Sequence, residues 1–180
     1  MRHLTGAFAG ALVAGIVALA PIAAEAHGPT RQKVEITREI NAPADKVWAA
    51  VSNFQDLSWV PGVAKVEGSG SEVGSKRTIT LENGETLTET VDKLDAAKMM
   101  IMYRADADNV KFLPVTNYSS RLTVKANGSG STVTWWGAFY RGYPNNDPPA
   151  DLNDETALSA VTGLYNAGLD GLKKKLEGGS

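Results

Sequence analysis

The sequence predicts an α+β fold: a curved antiparallel sheet of about seven strands wrapped around a long C-terminal helix, with two short helices after the first strand. Three observations carry this expectation. The segment "QKVEITREI" (32–40) alternates as a strand and is followed at once by helical periodicity. Six more strand-like segments fill residues 63 to 143, separated by Gly, Asn and Asp. The tail "DETALSAVTGLYNAGLDGLKKKLEGG" then sets Leu158, Val161, Tyr165, Leu169, Leu172 and Leu176 along one helical side.

In the first strand Val34, Ile36 and Ile40 are in phase. In "NAPADKVWAAVSNF", Asn41 is the expected N-cap, Pro43 sits where a missing N–H is harmless, and Val47, Trp48 and Val51 form the stripe. "QDLSWVPGV" reads as a second helical turn ended by Pro61-Gly62. The six strands are "VAKVEGSG", "KRTITL", "ETLTETVDKL", "KMMIMYRA", "NYSSRLTVKAN" and "STVTWWGAFYRGY". Pro114 breaks the chain before the fifth of them. Pro144, Pro148 and Pro149 mark a linker, after which Asp151 or Asn153 caps the final helix. Lys173, Lys174 and Lys175 suit its last turn, and Gly178-Gly179 end it.

The hairpin "KRTITLENGETLTETV" (76–91) carries the sharpest polar signal. A two-residue Asn83-Gly84 turn pairs Leu81 with Thr86 and mixes the apolar and threonine faces. A three-residue loop, Glu82-Asn83-Gly84, with Gly84 left-handed, instead sets Ile79 opposite Leu87 and sends the threonines to solvent. That register turns Arg77 and Glu89 inward as a cross-strand pair. Two uses stand open: a structural ion pair near the mouth of the sheet, or a polar anchor inside a ligand cavity. A buried pair is expensive to desolvate, so it is weak evidence for stability alone.

The chain has 180 residues, a formal net charge of −2 and no cysteine, which excludes disulfides and thiol catalysis. No Lys/Arg cluster interleaves with aromatics, so no nucleic-acid partner is expected. Residues 1–26 read as a signal peptide, with Arg2, an apolar run from Ala7 to Ala20 and an Ala24-Glu25-Ala26 cleavage site. The run is short for a retained span. Cleavage between Ala26 and His27 leaves one domain, residues 27–180, with no membrane span and a periplasmic address as the expectation.

That mature chain holds one histidine, His27, so a Ser-His-Asp triad, a zinc centre and a two-histidine copper brace all lack parts. The acidic stretches "ADADN" and "DLNDE" lack the spacing of a calcium loop, and "GSGSEVGSK" lacks that of a phosphate loop. No catalytic residue, metal or cofactor is therefore expected. Threonine parity in "STVTWWGAFYRGY" turns Trp135 and Phe139 inward, and Trp136 and Tyr140 outward. The outward pair marks a partner-contact surface unless the N-terminal segment or a neighbouring strand covers it. Tyr118 shares the apolar phase with Ser120, Leu122 and Val124, while Met99, Met100 and Met102 form an adaptable patch suited to a cavity wall. Trp59 either gates a ligand, meets a partner or closes the core. The cavity candidates are thus Arg77, Glu89, Trp59, Tyr103, Tyr118, Trp135 and Phe139.

"VEITREINAPADKVWAAVSNFQDLSWVPGV" resembles the opening of the SRPBCC superfamily, the START, Bet v 1 and polyketide-cyclase-like group. "GSKRTITLENGETLTETVDKLD", "YRADADNVKFLPVTNY" and "STVTWWGAF" followed by the long helix continue the resemblance across residues 32 to 176. It implies the helix-grip fold and an apolar cavity between the sheet and the final helix. Together with the leader, the start "HGPTRQKVEITREI" is similar to the MxaD-type periplasmic proteins of methylotrophs. That resemblance implies a non-catalytic accessory role in methanol oxidation, with methanol dehydrogenase and its cytochrome c acceptor as partners. The alternative it leaves is a carrier or sensor of a small hydrophobic ligand with an acidic or polar head. A polyketide cyclase-like enzyme using Arg77, Glu89, Tyr103 and Tyr118 ranks third, because nothing in the sequence couples those groups.

Overall fold

The computed structural model describes residues 28–178, and the expected leader lies outside the described residues. Strand β1 (Gln32–Ile40) is followed by helix α1 (Ala44–Ser52) and then by β2 (Val63–Ser69), β3 (Lys76–Leu81), β4 (Thr86–Asp95), β5 (Met100–Ala105), β6 (Val115–Asn127) and β7 (Gly130–Arg141). Helix α2 (Asp154–Glu177) closes the chain. The seven strands form one antiparallel sheet in the order β1-β7-β6-β5-β4-β3-β2. This is the helix-grip α+β architecture that the sequence predicts.

The core lies between the sheet's inner face and α2. Ala157, Val161, Tyr165, Leu169 and Leu172 of the helix are fully buried. Burying a Val or Leu side chain fully is worth roughly 1.5–3 kcal/mol, so this stripe holds the helix to the sheet. Asn153 caps the helix, accepting the Thr156 N–H at 2.8 Å, and Asp151 lies in the turn before it. Two glycines bring other parts close. A Cβ on Gly171 would lie 2.0 Å from the Trp59 carbonyl oxygen, and one on Gly137 would lie 2.0 Å from the Tyr165 hydroxyl. Only a missing side chain admits the Trp59 backbone against α2 and the Tyr165 tip under β7.

The β3–β4 hairpin has the register that face matching requires: Ile79 opposite Leu87 and Arg77 opposite Glu89. Leu81 N–H bonds the Glu85 carbonyl at 2.9 Å, and Gly84 takes φ +84°, as the three-residue loop demands. Thr90 departs from its solvent-facing siblings; it is buried on the outer face, donating to Asp106 at 2.5 Å. In β6, Asn117 adopts φ +51° and the pairing with β7 shifts between Thr116 and Ser119. This bulge switches the phase, so that Val115 and Tyr118 are both buried. Asp108 accepts the Asn117 N–H at 2.7 Å and holds the bulge.

Three local expectations need correction. Asn41 does not cap α1; β1 runs to Ile40, Pro43 takes the cap position, and no side chain caps that end. Its own N–H instead bonds Glu177 at 2.6 Å. The second short helix is a chain of turns. Asp56 accepts the Ser58 N–H on its carboxylate and the Trp59 indole N–H on its carbonyl, both at 2.9 Å, which competes with helical bonding. Finally, Met100 and Met102 lie on the sheet's outer side, because Ile101 and Tyr103 take the inward phase of β5.

Candidate ligand cavity

Strands β3 and β4 set Arg77 and Glu89 face to face beneath the sheet, at 5% and 3% exposure. Arg77 donates from Nε to Glu89 Oε2 at 2.8 Å, and its Nη2 lies 2.6 Å from the same oxygen. Nη1 donates to the Phe54 carbonyl at 2.8 Å. The guanidinium also lies 4.1 Å from the centre of the Phe54 ring and 4.9 Å from that of Tyr103. Two aromatic faces, one carbonyl and one carboxylate thus replace its water. A pair this dry is costly to form, and it persists because its surroundings supply these contacts.

The pair forms part of the wall of a cavity of about 380 Å³. Its interior is otherwise mostly apolar, with Ile79 and Leu87 from the hairpin and Tyr103, Tyr118 and Trp135 from β5, β6 and β7. Pro61, Asn83, Phe112 and Leu164 stand at its outer end, where the turn after α1, the hairpin loop, the segment before β6 and helix α2 converge. The volume falls in the range of small-molecule pockets.

Behind the tyrosine wall lies a buried hydroxyl cluster. Tyr118 and Tyr165 hydroxyls are 2.9 Å apart, and Tyr165 lies 3.1 Å from Ser120 Oγ. Trp135 Nε1 donates to Ser120 at 2.7 Å, and Ser120 donates to the Trp136 carbonyl at 3.1 Å. Tyr165 also stacks on Trp135, with centroids 4.4 Å apart, and Trp59 meets Trp135 edge-on at 5.5 Å. Burial, helped by the charge of Glu89, pushes the Tyr103 hydroxyl up to about 12. Burial likewise raises Tyr118, with Tyr165 as a further cause, and Tyr165, with Tyr103 as a further cause. All three stay protonated near neutrality. They are hydrogen-bonding groups there, poorly matched to acid–base catalysis.

Of the seven cavity candidates, the structure brings Arg77, Glu89, Tyr103, Tyr118 and Trp135 to one cavity. Phe139 is fully buried away from it, and Trp59 is buried against α2 and Trp135. Trp136 and Tyr140 do face outward, but each is half-buried under an arginine: Arg121 lies 5.2 Å from the Trp136 ring and Arg31 5.7 Å from that of Tyr140. Tyr165, Ser120 and the Phe54 carbonyl join the site without having been singled out for it. The signal for Tyr165 and Ser120 is present in the sequence, since each is a polar-tipped residue on an otherwise apolar stripe. Among the described residues no three His, Cys, Asp or Glu side chains gather as a metal site, and no helix is long and apolar enough to cross a membrane.

Several solved structures are similar. An uncharacterised protein from Bacillus thuringiensis matches at 25% identity with a TM-score of 0.68, over 81% of this chain and 99% of that one. The protein XoxI from Bacillus cereus matches at 25% identity with a TM-score of 0.67, over 81% of this chain and 95% of that one. Truncated norcoclaurine synthase from Thalictrum flavum shares the fold at 20% identity and a TM-score of 0.60, over 82% of this chain and 94% of that one. Residues 31–177 match the family described as polyketide cyclase / dehydrase and lipid transport. With that match running from the first strand to the last helical turn around a cavity of this kind, the chain belongs to the polyketide cyclase / dehydrase and lipid-transport family, within the SRPBCC superfamily.

Proposed function

We propose that the protein is a non-catalytic periplasmic binder of a small, largely apolar molecule, acting as its carrier or sensor. The observation that carries this is the buried Arg77–Glu89 pair forming part of the wall of an apolar cavity. The cavity gives a costly polar pair something to face. An enzyme reading finds less support, because the tyrosines are held protonated and Arg77 is bound on several sides. Native mass spectrometry of the full chain, purified gently from its own cells, tests the proposal. A mass excess matching a small organic molecule is expected. An empty chain that also fails to bind the apolar dye anilinonaphthalene sulfonate sinks it.

A second reading, an accessory of methanol oxidation that promotes the encounter of methanol dehydrogenase with cytochrome c, draws on the MxaD-type resemblance and the expected leader. Its structural support is the outer strip where Arg121 overlies Trp136 and Arg31 overlies Tyr140, residue types enriched at interfaces. Adding the purified protein is expected to raise the dehydrogenase–cytochrome rate in a salt-dependent way, and Trp136→Ala to weaken that rise. A rate unchanged at every ionic strength ends this reading. The two readings are compatible if the ligand regulates docking.

A further inference from the structure

The proton inventory behind the cavity wall determines which head group fits, a deepening that rests on the ligand-binding reading above. Trp135 Nε1 can only donate and the Trp136 carbonyl can only accept. Several proton orders are available to the hydroxyls between them, and two of them form a continuous chain. In the first, Ser120 gives its proton to the Trp136 carbonyl and accepts from both Trp135 and Tyr165, while Tyr165 accepts from Tyr118. All four short contacts are then hydrogen bonds. In the second, Ser120 donates to Tyr165 and Tyr165 to Tyr118, so the Trp136 contact is forfeited and the Tyr118 proton has no protein partner. The first order makes more of these bonds than any other and strands no donor among them, and an unmet buried donor carries the larger penalty. The Tyr118 proton is therefore spent inward, and its oxygen keeps a lone pair for the cavity it lines.

The charged pair has the same polarity. Both Arg77 contacts fall on Glu89 Oε2, which leaves Oε1 as the carboxylate atom they do not use. The guanidinium charge is already matched by Glu89, with the Phe54 carbonyl on Nη1 and two rings against its faces. The wall thus offers acceptors at Tyr118 and Glu89, a hydroxyl at Tyr103 that also lies near Ser120 and Trp135, and no uncompensated cation.

We propose that the cavity selects neutral apolar molecules whose head group donates a hydrogen bond, an alcohol or a phenol, over carbonyl, ether or carboxylate counterparts. This narrows the expected acidic or polar head to a neutral polar one. An alcohol gives its proton to Tyr118 or Glu89 and accepts from Tyr103. A ketone of the same skeleton only accepts, and it leaves a dry acceptor behind. A carboxylate meets Glu89 with no free cation to offset it.

Calorimetric titration of the full chain with tetralol, tetralone and tetralin carboxylate tests this. Tetralol is expected to bind at least about tenfold more tightly than tetralone, and the carboxylate more weakly than both. Tetralone or the carboxylate binding as well as tetralol overturns the polarity assignment and leaves the cavity reading standing; no binding of any of the three overturns both. Ser120→Ala removes the acceptor for the Tyr165 proton, and for the Trp135 N–H, without changing a residue that lines the cavity. Tyr165 then donates to Tyr118, the Tyr118 proton turns to the cavity, and the alcohol preference is expected to fall severalfold, to what Glu89 alone supplies. A preference undiminished in Ser120→Ala overturns the proton order. If that variant fails to fold, Tyr118→Phe removes the fixed acceptor directly, and an undiminished preference there has the same force.

Discussion

Arg77 and Glu89 differ from an ordinary surface pair in what their loss exposes. Both are almost fully buried, so Arg77→Ala leaves a carboxylate in the protein interior with no counter-charge. That change is expected to lower stability by about 3–5 kcal/mol, whereas the double variant Arg77→Met with Glu89→Leu keeps the volume and is expected to recover most of the loss. Urea denaturation of the two variants decides it; a double variant no more stable than Arg77→Ala contradicts this account. The pair was legible in the sequence because a strand has period two, and one loop length makes all the threonines agree on a face. Its depth was not legible. Phe54 supplies both a ring and a carbonyl to Arg77 from a turn twenty-three positions earlier, and no local pattern connects them.

At the scale of elements, α2 is informative for its glycines, which weaken a helix by about 1 kcal/mol each relative to alanine. Gly171 has a reason to be there, since Trp59's carbonyl occupies the space a Cβ needs. Gly163 has open space around it. Gly171→Ala is therefore expected to cost about 1–3 kcal/mol through the forced backbone shift, and Gly163→Ala to add about 0.5–1 kcal/mol. Thermal melts of the two single variants, which lie on one helix, check the contrast, and equal shifts would sink it. The turn at Gln55–Gly62 stands where a helical turn is expected, and its departure has a local cause. Asp56 spends its carboxylate and carbonyl on local donors, and Lys175 ties Asp56 to α2 at 2.6 Å. The strands were easier to read than this turn because each is backed by a neighbour of matching phase. The bulge at Asn117 is the exception, where one left-handed residue resets the phase.

For the molecule as a whole, the tyrosine cluster ties stability to alkaline pH. An unfolded tyrosine loses its proton at its ordinary 10.0, while folded Tyr103 holds it to about 12. Its stabilising contribution is complete below pH 10 and is lost as the pH rises through 12, about 3 kcal/mol from this residue. Tyr118 and Tyr165 are raised as well and act in the same direction. Urea midpoints measured along a neutral-to-alkaline series are expected to hold steady and then fall above about pH 10. A flat series would mean that these hydroxyls are wetter than the structure makes them.

The sheet order carries a consequence in time. Strand β1 pairs with β7 alone, Val34 opposite Gly137, so the first strand of the chain has no partner until the last has been made. Each strand from β3 to β7 can zip to the one before it. Closing this one ladder across nearly the whole sequence places β1 docking at the end of folding and makes that step slow. A ribosome-bound or newly released chain would therefore keep its leading segment unpaired for as long as synthesis lasts, which is the state in which machinery that handles unfolded chains can still take hold of it.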